Sequence, residues 1–293
     1  MQELLSTDFS SFLDHAFRKD TLSFAHLKNI FSSFYKVLKN PGQLRSELLK
    51  GLIKKLWHCT GICEGKKFEE WIEKLIAKKT EKPNCTFKEF RELIPKKSFK
   101  HLHIFATRIR TEKIVHLSSE DTEWDDVTIA SAIRASMSIP GVYIPAILKR
   151  KINDIVTEWK EKGSFLDGGM INNLPVETFD EKGYVEEGLS KEERRCPIFN
   201  KHTLGFSLIS SQEKIPEPEE INNIFQLVKG FFSIYINAEE LLRQLTPYNK
   251  HRIIEIDNNG VGLLEFNLSK EKQKLLIDSG TIAATDFVEE QGG

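Results

Sequence analysis

The residues best placed to do chemistry are an aspartate and two glycines at the end of an apolar stretch. Ser164-Phe-Leu-Asp-Gly-Gly169 reads as a short strand that delivers Asp167 to its carboxyl end. Gly168 and Gly169 let the backbone turn sharply there and leave the carboxylate uncrowded. In an open α/β sheet, ligands bind beyond the carboxyl ends of the strands. A carboxylate in such a place can be a general base, a metal ligand or a turn former, and an isolated Asp-Gly-Gly is most often a turn.

Other reactive residue types form weaker patterns. Gly61-Ile-Cys-Glu-Gly65 has the glycine spacing of a nucleophile elbow, with Cys63 where a serine would stand. Its lead-in, Lys54 to Thr60, continues a helical pattern, and Glu64 would disfavour a thiolate beside it, so the segment reads as a turn connecting helices. His58, Cys59 and Cys63 could suggest half of a zinc site, but no second pair with ligand spacing follows. His101 and His103 share one face of a strand, while His116, His202 and His251 are scattered; all read as core or surface histidines. No metal and no cofactor is expected.

The elements that must position these residues come in two styles. Helical spacing of apolar residues covers 24–38 and 44–57, where the two runs are separated by Pro41-Gly42, and a third helix runs from Phe68 to Ile76. The period then shortens: His101 to Thr107 and Lys113 to Leu117 read as strands, and 126–136 as a helix ended by Pro140-Gly141. Further strands are expected at 163–166, 203–209 and 252–256, a surface loop at 178–195, and helices at 219–245 and 270–288. Strands alternating with helices imply an α/β layered fold with a mostly parallel sheet.

Composition narrows the class. Of 293 residues 40% are hydrophobic and 29% charged, as in an ordinary globular protein, and at roughly 150 residues per domain the length allows two small domains or one large unit. Four cysteines are too few for a disulfide scaffold and fit a reducing compartment or simple core packing. No apolar run approaches the roughly 20 residues a bilayer span needs, and no secretory signal opens the chain. The net charge of −1 argues against dedicated nucleic-acid binding. Charge is uneven, however, because residues 36–100 hold 17 Lys and Arg against 8 Asp and Glu. That basic stretch is either a set of solvated helix faces or a peripheral contact for an anionic membrane.

Two segments together carry a family resemblance. Ala132-Ile-Arg-Ala-Ser-Met-Ser-Ile-Pro-Gly-Val-Tyr-Ile-Pro145 matches the Ala-x-Arg-Ala-Ser-x-Ser-x-Pro segment of the patatin-like phospholipases. Phe165-Leu-Asp-Gly-Gly-Met-Ile-Asn-Asn-Leu-Pro-Val176 matches that family's Asp-Gly-Gly/Ala block with its trailing Asn-x-Pro-Val. The resemblance implies a three-layer α/β/α fold and a Ser/Asp dyad acting on phospholipid or lysophospholipid esters. In such a dyad a serine on a Gly-x-Ser-x-Gly elbow attacks the ester while an aspartate takes its proton without an intervening histidine. It assigns the base to Asp167, backbone support to Gly168 and Gly169, and motif support to Asn173 and Pro175. Residues 135–145 are expected to wall the cleft beside Asp167.

The sequence also departs from that pattern, since neither the glycine-rich oxyanion loop nor a Gly-x-Ser-x-Gly occurs in it. Met1 to Phe12 resembles the region just after the nucleophile's helix, so the expectation is an N-terminally truncated family member with Met1 internal to a longer ancestor. Residues 1–180 would be the patatin-like domain without its first strands, and 181–293 its C-terminal completion. The chain alone is then expected to be inactive and cytoplasmic or peripherally membrane-associated. The competing expectation is a non-catalytic remnant that binds lipid or a partner protein.

Overall fold

The computed structural model describes residues 7, 9–12, 61–181, 184–185, 199–209, 247–261 and 268–292. The helices expected at 24–38, 44–57 and 219–245 lie outside these residues. The chain divides into two compact units, Met1–Ile171 and Asn172–Gly293.

The first unit is organised by a four-stranded sheet in the order β3-β2-β8-β5. Its strands are β2 (His103–Arg108), β3 (Lys113–Ser118), β5 (Ala146–Ile147) and β8 (Ser164–Asp167). Every neighbouring pair runs antiparallel, which corrects the expected mostly parallel central sheet. For β2 and β3 the reason is connection length, because a parallel pair needs a crossover of a dozen or more residues. β2 and β3 are instead joined by one 3-10 turn, Ile109–Thr111, closed by Glu112 at φ 54. Between β5 and β8 the chain forms a second hairpin, β6 (Lys149–Ile152) with β7 (Ile155–Glu158). Its two turn residues, Asn153 and Asp154, both have positive φ, the geometry of a type I′ turn. Parallel pairing does occur in β1 (Gly61–Cys63) with β4 (Gly141–Tyr143), and in the second unit.

Among the described residues, three helices belong to the first unit. α1 (Lys66–Thr80) begins after Gly65 in the left-handed region, and α2 (Phe87–Lys97) is started by a capping box. In that box the Thr86 hydroxyl accepts from the Glu89 N–H while the Glu89 carboxylate accepts from the Thr86 N–H. α3 (Ile129–Ser136) is nearly all buried. Its Ala132 and Ala135 let the helix lie close on the sheet face formed by Ile104, Ala106 and Phe165, and Cys85, Phe87, Leu117, Trp124, Val127 and Leu148 complete this core. Small residues on the helix face permit that approach, and the larger sheet side chains fill the layer to the density of a protein interior.

In the second unit β9 (Gly205–Ile209) pairs in parallel with β10 (Ile253–Asp257), and α4 (Lys270–Gly292) is the last element among the described residues. A buried polar cluster braces this unit. The Arg252 guanidinium, 3% exposed, holds the Asp180 carboxylate through two bonds of 2.6 and 2.7 Å, and also donates to Asn249 Oδ1. It stacks 4.4 Å from the centre of the Phe199 ring. The paired guanidinium holds the Asp180 carboxyl below the usual carboxylate range despite burial.

Candidate active site

Asp167 sits at the carboxyl end of β8, in the middle of the sheet, with β2 on one side and β5 on the other. Its backbone is fixed from two directions. The N–H donates to the Ser138 carbonyl at 3.0 Å, and the carbonyl accepts from the Thr107 hydroxyl at 2.9 Å. The side chain caps the 3-10 turn Gly168–Met170, where Oδ1 accepts from the Gly169 N–H at 2.7 Å. No hydrogen bond engages Oδ2 among the described residues. Burial pushes the Asp167 carboxyl above the usual carboxylate range, and the Gly169 N–H pulls part of the way back. Desolvation thus makes this carboxylate a stronger base than an exposed aspartate, as a proton acceptor at a reacting centre requires.

Gly168 has a steric reason for having no side chain. A Cβ there would lie 2.5 Å from the Phe105 carbonyl oxygen and 2.8 Å from its carbon, far inside contact distance. The turn therefore rests directly on the backbone of β2, and any side chain at 168 would push Asp167 off its strand.

The segment expected to line the site does touch it, through Ser138. That contact is braced by Arg134, the arginine of the Ala-x-Arg-Ala-Ser motif, to which the sequence reading gave no role of its own. Arg134 is 4% exposed and donates to Ser138 Oγ at 2.6 Å, to the Glu64 carbonyl at 2.8 Å and to the Ile144 carbonyl at 3.1 Å. Its guanidinium carbon lies 5.0 Å from the centre of the Tyr143 ring. Ser138 Oγ donates in turn to the Arg134 carbonyl at 2.9 Å, so the helix end and the loop after it are cross-tied where Asp167 hangs. A lone arginine on the apolar face of Ile129-Ala-Ser-Ala-Ile-Arg-Ala-Ser136 was the available signal, since a guanidinium is buried only when its donors are satisfied.

The remaining site residues of the sequence reading separate. Asp167, Gly168 and Gly169 lie together in the first unit; Asn173 and Pro175 belong to the second. There the neighbouring Asn172 Oδ1 accepts from the Leu174 N–H at 3.0 Å, and Pro175 introduces the 3-10 turn Val176–Phe179. Cys63 lies on β1 and is 2% exposed, which corrects the reading of 61–65 as a helix-connecting turn. The glycine at 61 serves close approach, since a Cβ there would stand 2.3 Å from the Tyr143 backbone. No group of three or more metal-ligating side chains occurs among the described residues. His116, read as scattered, meets His103 beside His101 at the free end of the β2–β3 hairpin.

Several lysines and arginines of the basic stretch are already paired. Lys66 meets Glu64, Lys97 meets Glu81 and Arg91 meets Asp125, each at 2.6 Å, and Lys82 lies 3.9 Å from Glu89. No helix among the described residues is long and apolar enough to cross a membrane.

Comparison with known proteins supplies the wider context. The family model described as patatin-like phospholipase matches residues 4–180. An uncharacterized protein of Acanthamoeba polyphaga mimivirus is 23% identical over 230 residues, covering 77% of this chain and 64% of the relative. A second uncharacterized protein of the same virus is 29% identical over 105 residues, 32% of this chain and 28% of its own. The chain therefore spans less than two thirds of the length of the curated relatives it matches. Among solved structures, the crystal structure of VipD from Legionella pneumophila aligns with 70% of this chain and 35% of its own, at 16% identity and a TM-score of 0.38.

Proposed function

Since the chain belongs to the patatin-like phospholipase family, a family of lipid hydrolases, we propose that it carries the base half of a Ser/Asp acyl-hydrolase centre acting on phospholipid or lysophospholipid esters. Asp167 is the general base, with Gly168 and Gly169 as its backbone support. The observation that carries this reading is a desolvated carboxylate in mid-sheet, tied at its N–H, its carbonyl and Oδ1, with no hydrogen bond at Oδ2 among the described residues.

In the reaction, a serine hydroxyl from an elbow attacks the ester carbonyl and gives its proton to Asp167 Oδ2; the aspartic acid then protonates the leaving alcohol. Water repeats the sequence on the acyl-enzyme and returns the carboxylate to its charged form. The rigidity of the Asp167 backbone has a function in this cycle, because a misplaced base loses reaction rate steeply with distance.

No Gly-x-Ser-x-Gly occurs in the 293 residues, so the chain by itself should not turn over esters. The test is hydrolysis of p-nitrophenyl acyl esters and of lysophospholipid by the purified chain and by Asp167→Asn. Equal background rates for both are expected. Turnover that Asp167→Asn abolishes would overturn the inactive reading and support the base assignment. The missing elbow favours a second reading, in which the chain binds lipid without cleaving it. Salt-sensitive binding to vesicles containing phosphatidylserine, without hydrolysis, distinguishes that reading, and absence of binding at low salt refutes it.

A further inference from the structure

We propose that the β6–β7 hairpin docks on the surface of a phospholipid bilayer, with Arg150 anchoring a lipid phosphate and Ile152 and Ile155 meeting the acyl boundary. The hairpin register aligns Arg150 with Thr157 and Ile152 with Ile155. Side chains alternate along a strand and aligned partners share a face, so these four residues lie on one face. The other face carries Lys149, Lys151, Val156 and Glu158 and is tied to the body of the unit. There Lys149 meets Glu69 at 2.8 Å and Lys151 meets Glu89 at 2.7 Å.

The first face holds two features that the fold does not use. Ile152 and Ile155 stand opposite each other beside the Asn153-Asp154 turn, 46% and 66% exposed. Behind them, Arg150 has its Nε buried with no hydrogen-bond partner, and no ion pair engages its guanidinium among the described residues. The guanidinium carbon lies 5.4 Å from the centre of the Trp159 ring. Lys162 Nζ also faces that ring, 4.7 Å from its centre, but Lys162 is compensated by Glu123 at 2.5 Å. Arg150 is thus an uncompensated cation held in place by an indole. Buried donors without acceptors are rare in native proteins and mark a place for a water or an ion. A planar guanidinium matches phosphate oxygens two at a time.

The arrangement suits a bilayer better than a protein partner. Ile152 and Ile155 stand one two-residue step, about 7 Å, along the strands from Arg150 and Thr157. Apolar groups of interfacial proteins enter the boundary between headgroups and acyl chains by about 5–10 Å. The isoleucines therefore reach that boundary while the guanidinium stays at the phosphates. A stable protein interface needs roughly 800 Å² from each partner, and two part-exposed isoleucines with one arginine supply a small part of that. The four strand residues of this face include no carboxylate. Within the tip, 152–155, Asp154 is the one acidic residue, and its charge opposes contact with anionic lipid. The inference rests on the lipid-binding reading and does not depend on Asp167 acting as a base.

Flotation of the full chain with vesicles of phosphatidylcholine and phosphatidylserine at low salt tests the docking face. The wild type should bind. Ile152→Ser combined with Ile155→Ser should weaken binding at least about tenfold, and Arg150→Gln about fivefold. Asp154→Asn keeps a residue that tolerates positive φ and removes the opposing charge, so it should tighten binding about fivefold. Ile282→Ser, the same change at a 61% exposed isoleucine of α4, should alter nothing. Wild-type binding that the double serine variant retains, or that Ile282→Ser loses equally, overturns the hairpin as the docking face and leaves the lipid-binding reading standing. No binding by the wild type overturns both. A concentration-dependent dimer that the two serines abolish, with vesicle binding unchanged, would assign the face to a second copy and refute the proposal. Should the serine variant fail to fold, Asp154→Asn decides: binding no tighter than that of the wild type refutes the docking face.

Discussion

Replacing Gly168 by alanine tests how the Asp167 turn is seated, because it adds a single carbon at the point of closest approach. That carbon would sit 2.5 Å from the Phe105 carbonyl oxygen, 2.8 Å from its carbon and 3.2 Å from its Cβ. Relaxed carbon contacts need about 3.5 Å, so the turn and β2 must part by about 1 Å. Two of the three obstructing atoms are backbone, and no rotamer change relieves them. Overpacking of this kind costs about 1–3 kcal/mol. Separation next to the Ala106 and Asp167 pair also weakens a ladder hydrogen bond worth about 1 kcal/mol net. The sum, about 2–4 kcal/mol, corresponds to a fall in Tm of roughly 5–15 °C for a unit of this size. Denaturant and thermal unfolding of Gly168→Ala beside the wild type give the value. A loss below about 0.5 kcal/mol, the ordinary range for an unconstrained surface change, would mean that β2 does not buttress the turn and that the account of Asp167's rigidity is mistaken.

Two further outcomes follow from the electrostatics. Asp167→Asn should stabilise the protein at pH 7, since it removes a charge that folding desolvates and keeps an acceptor for the Gly169 N–H. A raised carboxyl favours folding only when protonated, so the advantage should shrink as pH falls from the raised value toward about 3.9, and equal effects at pH 7 and pH 4 would contradict it. Arg252→Ala should destabilise the second unit by about 3–5 kcal/mol, because Asp180 is left as a mostly buried charge without its partner. Urea unfolding followed by hydrogen exchange at β9 and β10 measures it, and a cost under about 1 kcal/mol would show that water reaches the Asp180 carboxylate freely.

Local pattern was enough to find β2, β3, α3, β8, β10 and α4, each of which carries its own periodicity or a bounding turn. It was also enough to single out Asp167, since a carboxylate before two glycines is visible in three residues. What escaped the reading was of two kinds. Some signals were present but unread, such as the Thr86 and Glu89 capping box that starts α2 and the Asn153-Asp154 turn of the β6–β7 hairpin. Others did not exist in any short window. The sheet's antiparallel order depends on which strands meet across 60 residues, as β2 and β8 do, and the histidine pair depends on hairpin register. Arg134 belongs to both kinds, because its burial could be suspected from the helix face whereas its partners at Glu64 and Ile144 could not.

The position of β8 in the sheet has a consequence for the order of assembly. β2 with β3 and β6 with β7 are hairpins closed by turns of a few residues, and such units form within microseconds with little loop entropy to overcome. β8 comes last along the chain and must pair with β2 of the finished hairpin on one flank, and it gives the edge strand β5 its sheet partner on the other. Its pairing with β2 closes a loop of dozens of residues, the slow kind of contact in folding. Mutations along β8 should consequently speed unfolding more than they slow refolding, and the carboxylate proposed as the base reaches its seat in the final step by which the native sheet closes.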